Sequence, residues 1–255
     1  MARRKSIVAN WKMHGTYAEA EQLAKGVVEG MTPDGGVEVI LCPPFPYLAL
    51  VGKIAKGSSI CLGGQNTYPE KEGAFTGEVS PTMLLDVGCT FVILGHSERR
   101  HAMGETDAFI NQKVRLALDC GLDVILCVGE TMAERTAHQT ESVIDRQLSL
   151  GLANVAAETL ARVSIAYEPV WAIGNAVQHA TPQQAEEAHA VLRARFGKIF
   201  GTAAAEAVVI QYGGSVVPAN AAAFLSRPGV DGALIGGASL KADEFLAIVR
   251  AAAAQ

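Results

Sequence analysis

The sequence predicts an α/β chain folded as a single (β/α)8 barrel, with eight parallel strands ringed by helices over residues 1–255. Three observations carry that expectation. Short apolar runs recur eight times at a spacing of about 30 residues, helical patterns fill the intervals, and no Pro/Ser-rich linker or shift of composition interrupts the series. The runs are nearly continuous in apolar residues rather than alternating, as strands covered on both faces of a parallel sheet must be. An open, doubly wound sheet shares the alternation and remains the alternative, although eight units in a chain of this length suit the closed form.

The expected strands, in order, are Ser6–Asn10, Val37–Leu41, Ser59–Gly63, Cys89–Leu94, Leu122–Val128, Arg162–Tyr167, Ala207–Gln211 and Val230–Ile235. Helix punctuation separates them. Thr181-Pro182-Gln183-Gln184 combines an N-cap threonine, a proline at the first helical position and a glutamine that completes a capping box. Apolar residues then recur at Ala185, Ala188, Leu192, Phe196 and Ile199 along one helix face. Ser80-Pro81 and Thr106-Asp107 read as two more helix starts, and Gly121 as a stop.

Composition narrows the function classes. A net charge of −5 argues against nucleic-acid and anionic-membrane partners, whose recognition wants a basic face. No apolar stretch approaches the roughly 18–20 residues of a spanning helix. The basic start Met1-Ala2-Arg3-Arg4-Lys5 is followed by too few apolar residues for a secretory leader. Five cysteines, Cys42, Cys61, Cys89, Cys120 and Cys127, form no C-x-x-C pair and mostly sit in or beside apolar runs. Free thiols in a reducing compartment follow, and hence a cytoplasmic location. No His/Cys/Asp cluster has ligand spacing, so neither a metal nor another cofactor is implied.

In such barrels chemistry sits at the C-terminal strand ends. Here those ends carry Asn10-Trp11-Lys12, Gln65-Asn66, His96, Glu168, Gly213-Gly214-Ser215 and Gly236-Gly237. An imidazole and a carboxylate at the ends of two buried strands can converge as an acid–base pair. Asn10 and Lys12 share a direction along an extended segment and would both face the barrel mouth. The two Gly-Gly turns, after the seventh and eighth strands, leave backbone N–H groups uncovered before a helix, where phosphate is the natural guest. Taken singly, His96 suits a core histidine, Glu168 a loop ion pair and Lys12 a surface group; taken together those readings lose ground. Nucleotide-binding patterns G-x-G-x-x-G and G-x-x-x-x-G-K-[ST] are absent from the sequence. The connection Gln65–Val79, with Phe75 near its tip, is long enough to suggest a partner surface.

Several segments then resemble one family. Asn10-Trp11-Lys12-Met13, Gly73-Ala74-Phe75-Thr76-Gly77-Glu78, Leu94-Gly95-His96-Ser97-Glu98-Arg99-Arg100, Tyr167-Glu168-Pro169-Val170-Trp171-Ala172-Ile173-Gly174 and Tyr212-Gly213-Gly214-Ser215-Val216 are similar, in order, to the triosephosphate isomerases. That family's glutamate base, neutral histidine and closing loop are carried over by resemblance alone. The resemblance implies a TIM barrel interconverting dihydroxyacetone phosphate and D-glyceraldehyde 3-phosphate without a cofactor. Glu168 would be the base and His96 a neutral electrophile, its pKa lowered by the helix start at Ser97-Glu98. Lys12 and Asn10 would stabilise charge on the substrate oxygen, with Glu98, Ser97 and Cys127 supporting. Each such donor contributes roughly 2.7–4 kcal/mol and the base about 10²–10⁴-fold. Gly174, Ser215, Gly236 and Gly237 would hold the phosphate, and Pro169–Ala180 would close as a lid. A homodimer would form through the 65–79 loop, Met13, Phe75 and Thr76 meeting the neighbouring subunit.

The sequence departs from the family at three places. Asn175-Ala176-Val177-Gln178-His179-Ala180 is one residue longer than the usual hinge and lacks its glycine, which points to slower or less complete closure. His14 replaces the common asparagine, and Val217 the common lysine, a change that reads as loss of one surface charge. The altered lid leaves an isomerase of four-carbon ketose phosphates as one alternative; a phospho-sugar-binding scaffold on an inactive barrel is another.

Overall fold

Eight parallel strands close on themselves in sequence order: β1 (Lys5–Asn10), β2 (Val37–Cys42), β3 (Ile60–Gly64), β4 (Phe91–Leu94), β5 (Asp123–Val128), β6 (Val163–Tyr167), β7 (Ile210–Tyr212) and β8 (Gly232–Ile235). β1 pairs with β2 through Ile7–Val39 and with β8 through Val8–Leu234, so no edge is left and the open-sheet alternative is ruled out. The computed structural model describes residues 3–32, 36–174 and 179–255.

The alternation of side chains across each strand divides the apolar residues between two cores. Val8, Ile40, Cys42, Ile93, Ile125, Cys127, Ala166 and Leu234 fill the barrel interior. Their neighbours Ile7, Leu41, Val92, Leu94, Leu126 and Ile165 face outward, into the layer shared with the helices. Both faces are dry, which is why the strands read as unbroken apolar runs. Where strands approach most closely only glycine fits: a Cβ on Gly232 would lie 1.8 Å from the Ser6 carbonyl oxygen.

Local chemistry sets the helix ends. Ser80 and Thr106 each accept a hydrogen bond from the backbone N–H three residues on, opening Pro81–Asp86 and Asp107–Cys120, and the second helix stops at Gly121 with φ of 110°. Thr181 and Gln184 form the expected reciprocal box at the start of Pro182–Phe200. Two further boxes, Thr16 with Glu19 and Thr131 with Glu134, open Tyr17–Gly30 and Met132–Thr136.

Several expectations are corrected. Ile199 is exposed rather than on the buried face of its helix. The seventh strand starts at Ile210, not at Ala207, because the alanine-rich segment Thr202–Ala207 is itself helical. The fourth starts at Phe91, although Thr90 just before it already bonds both neighbouring strands, its N–H to the Leu62 carbonyl and its carbonyl to Asp123 N–H. The 65–79 connection closes on itself, with Tyr68 N–H and Thr67 Oγ1 both donating to the Val79 carbonyl at 2.8 and 3.0 Å. Phe75 packs on Tyr68, ring centroids 4.6 Å apart, so the loop is a built projection rather than a solvated tether.

Candidate active site

At the C-terminal end of β1 the chain turns sharply. Lys12 has φ of 52°, a left-handed conformation costing about 1–3 kcal/mol for a residue with a Cβ. Two neighbours hold it there. Asn10 Oδ1 accepts from Lys12 N–H at 3.0 Å, and Gln65 Nε2 donates to the carbonyls of Lys12 and Cys42, both at 2.8 Å. The extended segment expected from the sequence is therefore a turn; it is this turn, not strand alternation, that brings Asn10 and Lys12 to the same opening. Lys12 Nζ donates to Glu98 Oε1 at 2.6 Å. Burial raises the Glu98 pKa, but the Lys12 hydrogen bond and the neighbouring positive groups outweigh it, leaving the carboxyl below its ordinary range.

His96 caps the short helix Ser97–His101. Its Nδ1 accepts from Glu98 N–H at 3.3 Å and its Nε2 lies 2.8 Å from Glu168 Oε1. A proton on Nδ1 would face that N–H donor to donor, so the geometry places the proton on Nε2, which donates to Glu168. Burial pulls the His96 pKa down, yet the charge and hydrogen bond of Glu168 push it up and prevail. The expected lowering by the helix start is thus reversed in this arrangement, because the carboxylate sits directly on the ring. Glu168 Oε2 accepts from Ser97 N–H at 2.7 Å, so both carboxylate oxygens are engaged. Cys127 is buried in the barrel interior, where burial first and the Glu168 charge second hold its thiol well above the usual range. It remains a neutral thiol beside the acid–base pair.

Asn10, Lys12, His96, Glu168, Gly174, Ser215, Gly236 and Gly237 all line one cavity of about 210 Å³. Glycine is favoured where groups crowd: a Cβ on Gly213 would lie 2.9 Å from Glu168 Cγ, while one on Gly236 would press on the Lys12 stem at 3.3 Å. Gly237–Leu240 form a single 3-10 turn, whose leading N–H groups lack partners within the turn. Val217, a surface position by its sequence context, is exposed, yet it also lines this cavity, with Ile173, Val216, Leu234 and Ala238. Among the described residues no group of three His, Cys, Asp or Glu side chains has metal-binding geometry.

Of the expected lid, residues 175–178 lie outside the described residues, and with them most of the lengthened hinge. Its first turn is anchored by a group the sequence reading missed. Glu130 is fully buried and accepts from Tyr167 Oη at 3.0 Å, Trp171 Nε1 at 2.9 Å and Arg135 at 3.1 Å. Arg135 also stacks 4.2 Å over the Trp171 ring. Its position just past β5 was the available signal. On the outer surface Met13 is 94% exposed, and Phe75 and Thr76 are exposed on the projecting loop. A wider, shallow trough of about 760 Å³ beside Arg135, His138 and Arg195 holds mutually paired charges, Arg195 to Glu141 at 2.7 Å, and no acid–base couple.

The chain is similar over nearly its whole length to known enzymes. A family model described as triosephosphate isomerase matches residues 5–252. Triosephosphate isomerase from Rhodopirellula baltica is 51% identical over 99% of this chain and 99% of its own length. Those of Carboxydothermus hydrogenoformans and Chlorobium phaeobacteroides are 50% and 49% identical, each covering at least 97% of this chain and 98% of the relative. Likeness of this extent, on a closed barrel whose imidazole and carboxylate meet beside a glycine-lined cavity, leaves one assignment: the chain belongs to the triosephosphate isomerase family.

Proposed function

We propose that Glu168, His96, Lys12 and Asn10 carry the interconversion of dihydroxyacetone phosphate and D-glyceraldehyde 3-phosphate that this chain catalyses, a step of glycolysis and gluconeogenesis. One proton moves between adjacent carbons through an enediol(ate) intermediate. The observation supporting this reading is the 2.8 Å approach of His96 Nε2 to Glu168 Oε1 at the wall of a cavity also lined by Lys12. Glu168 takes the carbon-bound proton; the electron pair forms the carbon–carbon double bond, and negative charge collects on the carbonyl oxygen. His96 Nε2–H, Lys12 Nζ and Asn10 meet that charge; Glu168 returns the carbon proton to the neighbouring carbon, while the hydroxyl proton passes by way of His96 Nε2 from the oxygen that becomes the carbonyl to the oxygen that becomes the hydroxyl. Substrate and product differ by no electrons, so side chains suffice.

At rest the base is held back. Glu168 Oε2 must leave Ser97 N–H before it reaches a substrate carbon. Because Glu168 is followed directly by Pro169 and the lid, closing of the lid over bound phosphate supplies that movement. Once Glu168 turns to substrate, burial and the Glu98 N–H remain to keep His96 neutral. The amides of Gly174, Ser215, Gly236 and Gly237 grip the phosphate. The exposed Met13 and the built loop carrying Phe75 and Thr76 support pairing of two copies, and residues 1–255 act as one catalytic domain in the cytoplasm.

Steady-state isomerisation of three- and four-carbon ketose phosphates, by the parent and by Glu168→Asp, tests this. Preference for the three-carbon substrate, and a loss on the order of 10² or more on retracting the carboxylate, is expected. Equal inertness of both proteins refutes it.

A further inference from the structure

Resting on the reading of Gly174, Ser215, Gly236 and Gly237 as the phosphate grip, the geometry points to Asn220 as a positioning residue that fixes the Ser215–Val217 loop for anion binding. Asn220 is partly buried in the first turn of the helix Pro218–Leu225 and does not line the cavity; it stands behind the lining loop. Its side-chain amide spans that loop with both polar atoms. Oδ1 accepts from Val217 N–H at 2.8 Å, and Nδ2 donates to the Ser215 carbonyl at 3.1 Å. A backbone N–H can only donate and a carbonyl can only accept, so one orientation of the amide satisfies both. The peptide planes on either side of Val216 are thereby set from behind.

The rest of the cavity makes this scaffold matter. Of the described residues that line it, only Lys12 carries a permanent positive side chain, and that charge is paired with Glu98. Val217 contributes no charge to the cavity wall. A doubly charged phosphate is therefore gripped mainly by backbone N–H groups, whose worth depends on being aimed before the ligand arrives. Loss of the Asn220 tether leaves every gripping group present and loosens the loop that carries Ser215, and with it the aim of the Ser215 amide.

The test compares the parent with Asn220→Ala, which removes both bonds, and Asn220→Asp, which keeps the acceptor for Val217 N–H and so preserves the helix cap. Competitive inhibition by inorganic phosphate and kcat/KM for triose phosphate and for unphosphorylated D-glyceraldehyde are measured at high salt, where the added Asp charge is screened. Both variants are expected to weaken phosphate inhibition and to lower kcat/KM for triose phosphate, Asn220→Asp by about tenfold, one hydrogen bond's worth of aim, and Asn220→Ala by at least as much. Turnover of D-glyceraldehyde stays within about twofold, since the reacting groups are untouched. Equal losses on both substrates, or unchanged phosphate inhibition in the two variants, overturn the assignment. A parent protein insensitive to phosphate and inactive on triose phosphate would instead refute the underlying site reading.

Discussion

Gly213→Ala isolates the placement of the base from its chemistry. The added Cβ would lie 2.9 Å from Glu168 Cγ and 3.0 Å from the Tyr167 carbonyl oxygen. Ordinary carbon–carbon contact needs about 3.5–4.0 Å, so the stem of Glu168 or the loop must give by roughly 0.6–1.1 Å. The loop is held by Gly213 N–H on the Tyr167 carbonyl at 2.7 Å, and the carboxylate by Ser97 N–H and His96. Neither yields freely. A base displaced by about 1 Å loses on the order of 10²-fold in rate, and overpacking costs about 1–3 kcal/mol of stability. The assay is coupled isomerase turnover beside a denaturant melt. The expected result is a kcat reduced about 10–100-fold in a protein that still folds; activity within twofold of the parent would refute the claim that Glu168 is confined by this wall.

Further outcomes follow from individual groups. Lys12→Met removes the charged donor and should lower kcat/KM by about 10²–10³-fold with little change in melting temperature; a loss below tenfold would exclude Lys12 from the reacting charge. His96 should titrate above its ordinary value of about 6.5 in the free enzyme and below it in Glu168→Gln, read by imidazole NMR. Its raised pKa also contributes stability that is present below pH 6.5 and lost as pH rises through the folded value. His189 behaves oppositely: it is wholly buried, and burial, against the opposing Gly229 carbonyl bond, lowers its pKa to about 4. The unfolded chain binds that proton more readily, so stability on the order of 3 kcal/mol is lost as pH falls from about 6.5 to about 4. A His189→Phe protein with an unchanged acid limb in urea melts would contradict this.

What could be read in advance follows the range of the forces involved. Strand identity, the caps at Ser80, Thr106 and Thr181 and the stop at Gly121 are local choices of burial and backbone donors, and the residues state them directly. Co-location of Asn10, Lys12, His96, Glu168 and the glycine turns followed once eight units were set in a ring. The misread features depend on contacts across the fold. Lys12 adopts its left-handed turn because Gln65, over fifty positions away, caps its carbonyl. His96 has its pKa raised rather than lowered because Glu168 arrives from another strand. Glu130 was missed because its three donors converge only when β5 and β6 lie side by side. Ile199 keeps helical spacing but falls at the end of its helix, where the barrel no longer covers that face.

The resting site satisfies itself, and this shapes the role proposed for the phosphate. Glu168 is bonded to His96 and Ser97, and Lys12 to Glu98, so each reacting group has a partner before any ligand enters. Breaking the Ser97 bond and reorienting Glu168 costs about 1.5–3 kcal/mol, the usual worth of a charged hydrogen bond. A three-carbon fragment without phosphate offers little to offset that. The phosphate, gripped by amides several bonds from the reacting carbons, supplies binding energy at a point where it can be spent on moving the lid and the carboxylate rather than on holding substrate more tightly. On this account the self-paired resting state does not weaken the catalyst. It keeps the base from acting until the anion that identifies the correct substrate is in place.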